Sequence, residues 1–200
     1  LTFAGMASAQ TVPQFGTNLV VNGDAEAGPG APDDGATLVD IPNWTRQGNF
    51  QVVQYGASGG FTGLTDPGPK DRGKNYFVGG PDNDSSSASQ TIDISALSPD
   101  IAKGGVTFTL SGYLGGYADQ GDHAELSARF ADKDGKDLKD VEVGPVTADQ
   151  RKDVTDLLPV SIDGSVPAGT QSVVVYIKTV RTDGSYNDAS ADNISMVFKK

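Results

Sequence analysis

The stretch GVTFTLSGYLGG, residues 105–116, alternates apolar and polar side chains over most of its length. Val106, Phe108 and Leu110 fall on one side of an extended chain, and Leu114 continues that side. Successive side chains of a β-strand point to opposite faces of a sheet. The stretch therefore predicts a strand with one buried face and one solvated face.

The same alternation recurs along the chain. In HAELSARF, residues 123–130, Leu126 and Phe130 share one face, and Asp134-Gly135 then supplies a pair suited to a tight hairpin turn. Other runs of strand length occupy residues 87–95, 172–181 and 192–198. Helical signals are sparse, and the Gly and Pro residues lie mainly between the apolar runs. About eight to ten short strands with turn-rich spacers predict an all-β fold, an antiparallel β-sandwich of jelly-roll type.

Composition restricts the classes of partner. The 200 residues include 26 acidic and 15 basic side chains, which gives a formal net charge of -11. Such a chain is repelled by nucleic acid and by anionic membrane surfaces, whereas it suits neutral ligands and divalent cations. There is no cysteine, which excludes disulfides and thiol chemistry. No later run approaches the roughly 20 apolar residues of a transmembrane helix.

The first ten residues, LTFAGMASAQ, resemble the end of a secretory signal, because a short apolar stretch precedes the small-residue site Ala7-Ser8-Ala9. We expect residues 1–9 to be a signal-peptide remnant or an apolar N-terminal segment. Residues 10–200 are expected to form a single β-sandwich domain that is secreted, periplasmic or at the cell surface. A retained and packed N-terminus would instead indicate a membrane anchor or a neighbouring subunit.

Several motifs resemble the galactose-binding-domain-like sandwiches of secreted bacterial proteins, which are similar to certain carbohydrate-binding modules. The similarity covers nearly all of residues 18–198, and its motifs are NLVVNGDAEAG (18–28), IPNWTRQGNFQVVQYGASGGF (41–61), DRGKNYFVGG (71–80), SSSASQTIDIS (85–95) and GSYNDASADNISMVF (184–198). The superfamily contains sugar-binding modules, adhesins and enzyme appendages, so the resemblance implies a fold more firmly than a function.

The resemblance also implies a structural calcium ion. In many modules of this type, a strand that ends in Asn-Gly-x-x-Glu and an Asp at the start of the last strand share the ion. These positions correspond to Asn22, Gly23, Glu26 and Asp192. Calcium binds roughly six to eight oxygen ligands, which carboxylates and backbone carbonyls can supply. The family often has an aromatic residue before the Glu, where this chain has Ala25. The alternative is that the acidic corner is only a solvated turn.

A sugar-binding function requires aromatic surfaces beside polar groups. The candidates are Trp44, Tyr55, Asp71, Arg72, Asn75, Tyr113 and Tyr117. As the sole tryptophan, Trp44 is also a candidate core residue. Tyr113 lies opposite the apolar face of its strand and, with Tyr117, is the best surface candidate.

Catalysis is the weakest interpretation. His123 is the only histidine, and the chain has no Gly-x-Ser-x-Gly motif. Paired carboxylates of a glycoside hydrolase cannot be judged from sequence, since their separation is a spatial property. We therefore expect a non-catalytic module that binds a glycan or a cell-surface polymer. The alternative is an accessory subunit docked by protein contacts onto a larger extracellular, periplasmic or membrane-associated assembly.

Overall fold

The computed structural model describes residues 12–33 and 37–200, so the prediction for residues 1–9 lies outside the described residues. The described part contains ten strands and one short α-helix, α1, at Ser98–Ile101. The strands are β1 Thr45–Gln47, β2 Gln51–Gln54, β3 Asn75–Pro81, β4 Ser85–Asp93, β5 Thr107–Gly116, β6 His123–Ala131, β7 Asp137–Val143, β8 Asp156–Ser165, β9 Ser172–Val180 and β10 Tyr186–Lys199.

The strands form two five-stranded sheets in which all pairs of neighbouring strands are antiparallel. We call the sheet with the order β2-β3-β10-β5-β8 sheet I, and the sheet with the order β1-β4-β9-β6-β7 sheet II. Two packed antiparallel sheets confirm the predicted β-sandwich. In the described residues, no helix has the length and apolar character needed to cross a membrane.

The core lies between the two sheets, where the apolar side of each alternating strand meets the other sheet. Phe108 of sheet I contacts Phe130 of sheet II with ring centroids 4.9 Å apart. Phe130 also stacks with Phe198 of β10 at 6.3 Å. All three rings are essentially inaccessible to solvent. The predicted inward face of β5 is therefore confirmed.

The turn between β6 and β7 is the predicted hairpin. The Asp132 carboxylate accepts hydrogen bonds from the backbone N–H groups of Asp134 and Lys136, at 2.9 and 3.0 Å. These bonds lower the pKa of Asp132 below its usual range. Gly135 adopts φ +77°, which a glycine reaches without strain.

The beginning of the described chain lies against its end. Asn18 forms an isolated antiparallel bridge with Val197, and the Leu19 N–H donates to the Met196 carbonyl at 2.8 Å. The apolar run at residues 19–21 is thus not a full strand, although it lies beside β10.

Candidate functional site

The acidic corner, residues 22–26, is fastened to the rest of the fold through its backbone. The Gly23 carbonyl accepts a hydrogen bond from the Ile194 N–H at 2.8 Å. The Asn22 carbonyl accepts from Trp44 Nε1 at 2.9 Å. A Cβ on Gly23 would lie 2.0 Å from the Ile194 carbonyl oxygen, so only glycine fits this approach. The corner is therefore a close contact between the first loop and β10.

Asp192 is fully buried beside this corner. Its Oδ2 accepts a 2.6 Å hydrogen bond from Tyr55 Oη, and its Oδ1 accepts from the Asn193 N–H at 2.7 Å. Burial raises the pKa of Asp192 to about 7; the hydrogen bonds from Tyr55 and Asn193 oppose this shift, and the nearby carboxylates of Asp24 and Glu26 add to it. The structure thus brings Glu26 and Asp192 within electrostatic range of each other.

Glu26 also binds the start of β3. Its Oε1 accepts hydrogen bonds from the backbone N–H groups of Lys74 and Asn75, at 2.7 and 2.8 Å. The Asn75 side chain in turn donates to the Ala25 carbonyl at 3.1 Å. Within residues 12–33 and 37–200, no group of three or more His, Cys, Asp or Glu side chains is placed to hold a metal ion. A cation at the corner would therefore depend on backbone carbonyls and water in addition to carboxylates.

A polar cavity of about 310 Å³ adjoins the corner and is lined in part by Asn22, Asp24 and Asn193. Asp71 also lines it and accepts a hydrogen bond from Asn193 Nδ2 at 3.0 Å. The donor set around this cavity consists of carboxylate, amide and carbonyl oxygens, which suits a hard cation such as calcium. Asp192 does not line this cavity; it is buried beside the corner, and no lysine or arginine nitrogen lies within 4 Å of its carboxylate in the described residues.

Several sequence-predicted ligand residues are internal. Trp44, Tyr55 and Asn75 are all less than 9% exposed. A side chain that contacts a surface ligand must be open to solvent, so the prediction that these three bind a sugar is wrong. Trp44 and Tyr55 are core residues, and Asn75 supports the acidic corner. Arg72 donates to the carbonyls of Gly63, Asp66 and Pro69 and lies 5.1 Å from the Tyr55 ring centre. Its guanidinium therefore organises the loop before β3.

The two remaining tyrosines lie near the surface. Tyr113 is half-buried on the outer face of sheet I, opposite Pro159 of β8. Tyr117 follows the end of β5 and is 39% exposed. A Cβ on Gly60 would lie 3.4 Å from the Tyr117 ring, so this ring packs beside the loop after β2.

A second surface site lies on the solvent face of sheet II and is centred on Tyr176. Tyr176 is in β9, the middle strand of the sheet, and its side chain is half-buried. It pairs with Ser89 of β4 on one side and Ser127 of β6 on the other. The row continues to Thr45 of β1 and Glu142 of β7, so it crosses all five strands. At the usual strand spacing this is a distance of about 19 Å.

Two adjoining depressions meet at Tyr176 and Ser127 of this row, and we call them together the sheet II groove. One, of about 510 Å³, is bordered by Gln47, by Ser87 and its serine neighbours, and by Lys178. The other, of about 380 Å³, is bordered by Arg129 and by the acidic side chains of β7. Ser127 and Tyr176 line both depressions. The groove is thus one surface with an aromatic ring at its centre.

Polar contacts hold the charged side chains of the groove. Lys178 Nζ lies 2.8 Å from Glu125 Oε2. Arg129 Nε lies 3.4 Å from Asp137 Oδ1, and the Arg129 guanidinium carbon is 5.9 Å from the Tyr176 ring centre. The guanidinium therefore packs against one side of the ring.

The sequence contains a signal for the outward position of Tyr176. In SVVVYIKTV, residues 172–180, Val173, Val175 and Ile177 are buried, which leaves Tyr176 on the solvent side. Alternation alone could have marked it as an exposed aromatic residue. Its serine neighbours come from strands far away in sequence, so no local pattern could have shown the open space beside the ring.

No family model matches this chain, and no curated protein matches it either. Among solved structures, the enzymatically active domain of tailspike protein 4 from bacteriophage CBA120 superposes with a TM-score of 0.55 and 17% identity, over 90% of this chain and 21% of that one. A family 16 carbohydrate-binding module superposes with a TM-score of 0.51 and 19% identity, over 90% of this chain and 99% of that one.

The chain shares its β-sandwich fold with this carbohydrate-binding module. This β-sandwich agrees with the galactose-binding-domain-like resemblance read from the sequence. The chain spans about a fifth of the tailspike protein, so that similarity concerns only one part of a longer molecule. At these identities the similarities show the architecture, and the function must be argued from the site itself.

Proposed function

We propose that this protein is a non-catalytic glycan-binding module and that the sheet II groove holds the glycan chain. The observation that carries the proposal is the position of Tyr176, half-buried at the centre of the sheet between two serines, with its ring lining both depressions. Small neighbours leave space beside the ring, so that a flat ligand can approach it. The family 16 carbohydrate-binding module, which superposes over 99% of its own length, supports glycan binding as the function.

The groove has the two kinds of surface that a sugar requires. The C–H face of a sugar ring is apolar and packs against an aromatic side chain, whereas its hydroxyl groups need hydrogen-bonding partners. Tyr176 supplies the first kind. Ser87 and Gln47 at one end and Glu142 at the other supply the second. Tyr176 would be the stacking residue, and these polar side chains would read the hydroxyl groups.

The surroundings of His123 support binding without catalysis. Its Nδ1 lies 2.8 Å from the Gly121 carbonyl, and its Nε2 lies 3.8 Å from Glu125. Neither partner is a hydroxyl or thiol nucleophile that the imidazole could activate. The histidine is thus engaged in surface contacts at the start of β6.

We further infer that the module acts outside the cytoplasm and carries a structural calcium ion at the acidic corner. The signal-like motif Ala7-Ser8-Ala9 and a glycan ligand support the location. Glu26 and Asp192, with carbonyls of the Asn22-Gly23 turn, would hold the ion. Calcium would neutralise these neighbouring carboxylates, and it would clasp the first loop to β10.

The binding proposal is tested by Tyr176→Ala with Tyr113→Ala as the matched control. Both tyrosines are half-buried on an outer sheet face, but on opposite sheets. Affinity electrophoresis against a panel of soluble polysaccharides identifies a ligand, and calorimetry measures its affinity. A central aromatic residue of an interface typically contributes about 2 kcal/mol or more, so Tyr176→Ala should weaken binding at least roughly 30-fold.

Tyr113→Ala should bind like the wild-type protein. The proposal is refuted if the wild-type protein binds no polysaccharide, or if Tyr176→Ala retains wild-type affinity while folded. Folding of each variant is checked by its near-ultraviolet circular dichroism and its unfolding midpoint.

A further inference from the structure

The sheet II groove carries more acidic than basic side chains. Two cations face it, Arg129 and Lys178, and each already lies against a carboxylate, Asp137 and Glu125 respectively. The β7 wall contributes two more carboxylates, Asp140 and Glu142. Neither of these two has a lysine or arginine nitrogen within 4 Å in the described part of the chain. The groove therefore has an excess of negative charge at its β7 end.

We propose that this charge arrangement selects uncharged glycans and rejects those that bear carboxylate or sulfate groups, with Asp140 and Glu142 as the specificity-determining residues. This inference rests on the proposed function of the groove, and it adds the chemical class of the ligand. The strand register places both carboxylates on the face of the groove, since Asp140 pairs with Arg129 and Glu142 pairs with Ser127, the neighbour of Tyr176.

The physical reason is that the groove carries a net negative charge, because its two cations lie beside Asp137 and Glu125 and the β7 wall adds two further carboxylates. Lys178 Nζ is held 2.8 Å from Glu125, so a ligand carboxylate would have to compete with this partner for the ammonium group. Arg129 is similarly placed between Asp137 and the Tyr176 ring. An acidic sugar on the ring would meet Asp140 and Glu142 as like charges, which disfavour binding. A neutral sugar can instead donate its hydroxyl hydrogens to the same carboxylates.

The test compares one polymer in two charge states. The probe is the neutral polysaccharide that binds the wild-type protein most tightly, together with the same polymer after oxidation of a fraction of its primary alcohols to carboxylates. Polygalacturonate and alginate serve as naturally anionic probes. Calorimetry at about 10 mM and about 150 mM salt then measures the effect of screening, because the Debye length shortens from about 30 Å to about 8 Å.

The wild-type protein should bind the oxidised polymer about tenfold more weakly than the neutral one at low salt, and the difference should shrink at high salt. The double variant D140N/E142Q should lose most of this discrimination and keep its affinity for the neutral polymer within about threefold. The matched control is D119N/D149N, which removes two exposed loop carboxylates outside sheet II and should discriminate like the wild-type protein.

The inference is overturned if the wild-type protein binds the oxidised polymer or polygalacturonate as tightly as any neutral polymer, with Tyr176 still required. That outcome leaves the binding function in place and refutes only the charge selection. Equal discrimination by D140N/E142Q and the wild-type protein overturns the assignment as well. If binding does not depend on Tyr176, the proposed function fails and the inference fails with it.

Discussion

Arg151 is the basis of a quantitative stability prediction. Its side chain is 1% exposed, and its guanidinium donates hydrogen bonds to the carbonyls of Gly116, Ala118, Gln120 and Val154, at 2.5 to 3.0 Å. These carbonyls belong to the end of β5, to the loop that follows it and to the segment before β8. One buried cation thus connects two loops that have little other regular structure.

Replacing Arg151 by Met nearly keeps the volume of the side chain and removes all four hydrogen bonds. A buried carbonyl left without a partner costs roughly 1–3 kcal/mol, and the loops can recover part of this by admitting water. We therefore expect a loss of about 3–5 kcal/mol, similar to the loss of one partner in a buried ion pair. With a urea m-value of about 2 kcal/mol per molar, the unfolding midpoint should fall by roughly 1.5–2.5 M.

The measurement is urea unfolding followed by the fluorescence of Trp44, the only tryptophan, which is buried in the core. The control is Lys152→Met, which removes a positive charge from the exposed neighbouring position and should shift the midpoint only slightly. A loss below about 1 kcal/mol for Arg151→Met would refute the reasoning, because the four hydrogen bonds would then be contributing little.

Three further predictions concern the acidic groups. Saturating calcium should raise the melting temperature by roughly 5–10 °C relative to a chelator, since binding at about 100 times the dissociation constant adds about 2.7 kcal/mol. Asp192→Asn should abolish this difference, and a wild-type melting curve insensitive to both additives would contradict the calcium site. Tyr55→Phe should cost about 1.5–3 kcal/mol in urea unfolding, because a fully buried carboxylate oxygen of Asp192 loses its donor; an unchanged midpoint would show that water replaces the hydroxyl. Burial and the neighbouring Asp122 raise the pKa of Asp188 to about 6, above its usual value of 3.8. The protonated Asp188 carboxyl therefore makes its full contribution to folding stability below about pH 4, and this contribution is lost as the pH rises through about 6. Across that window the Asp188→Asn variant should become about 1–2 kcal/mol more stable than the wild-type protein, after allowance for screening. Parallel stability–pH curves for the two proteins would refute this.

The sequence by itself determined the architecture of the strands. The alternation in residues 105–116 and 123–130 requires one apolar face per strand, and two such faces can only be buried against each other. The Asp134-Gly135 turn was predictable for the same local reason, since the Asp132 carboxylate and a glycine at positive φ act within a few residues. β8 was not singled out, because Pro159 interrupts its pattern. A proline is tolerated there since β8 is an edge strand of sheet I.

Only the tertiary structure decided which residues meet. Alternation shows that Tyr176 faces outward, but its serine neighbours are supplied by β4 and β6 through the order of the strands. Tyr55 and Asp192 are 137 positions apart and lie in one buried hydrogen bond. Whether an aromatic residue stacks on a ligand or supports the core therefore depends on what packs over it. Local periodicity assigns a side chain to a face of the sheet, whereas long-range strand pairing determines whether that face is covered. For this reason only the folded sheet shows that the Tyr176 ring is accessible to a ligand.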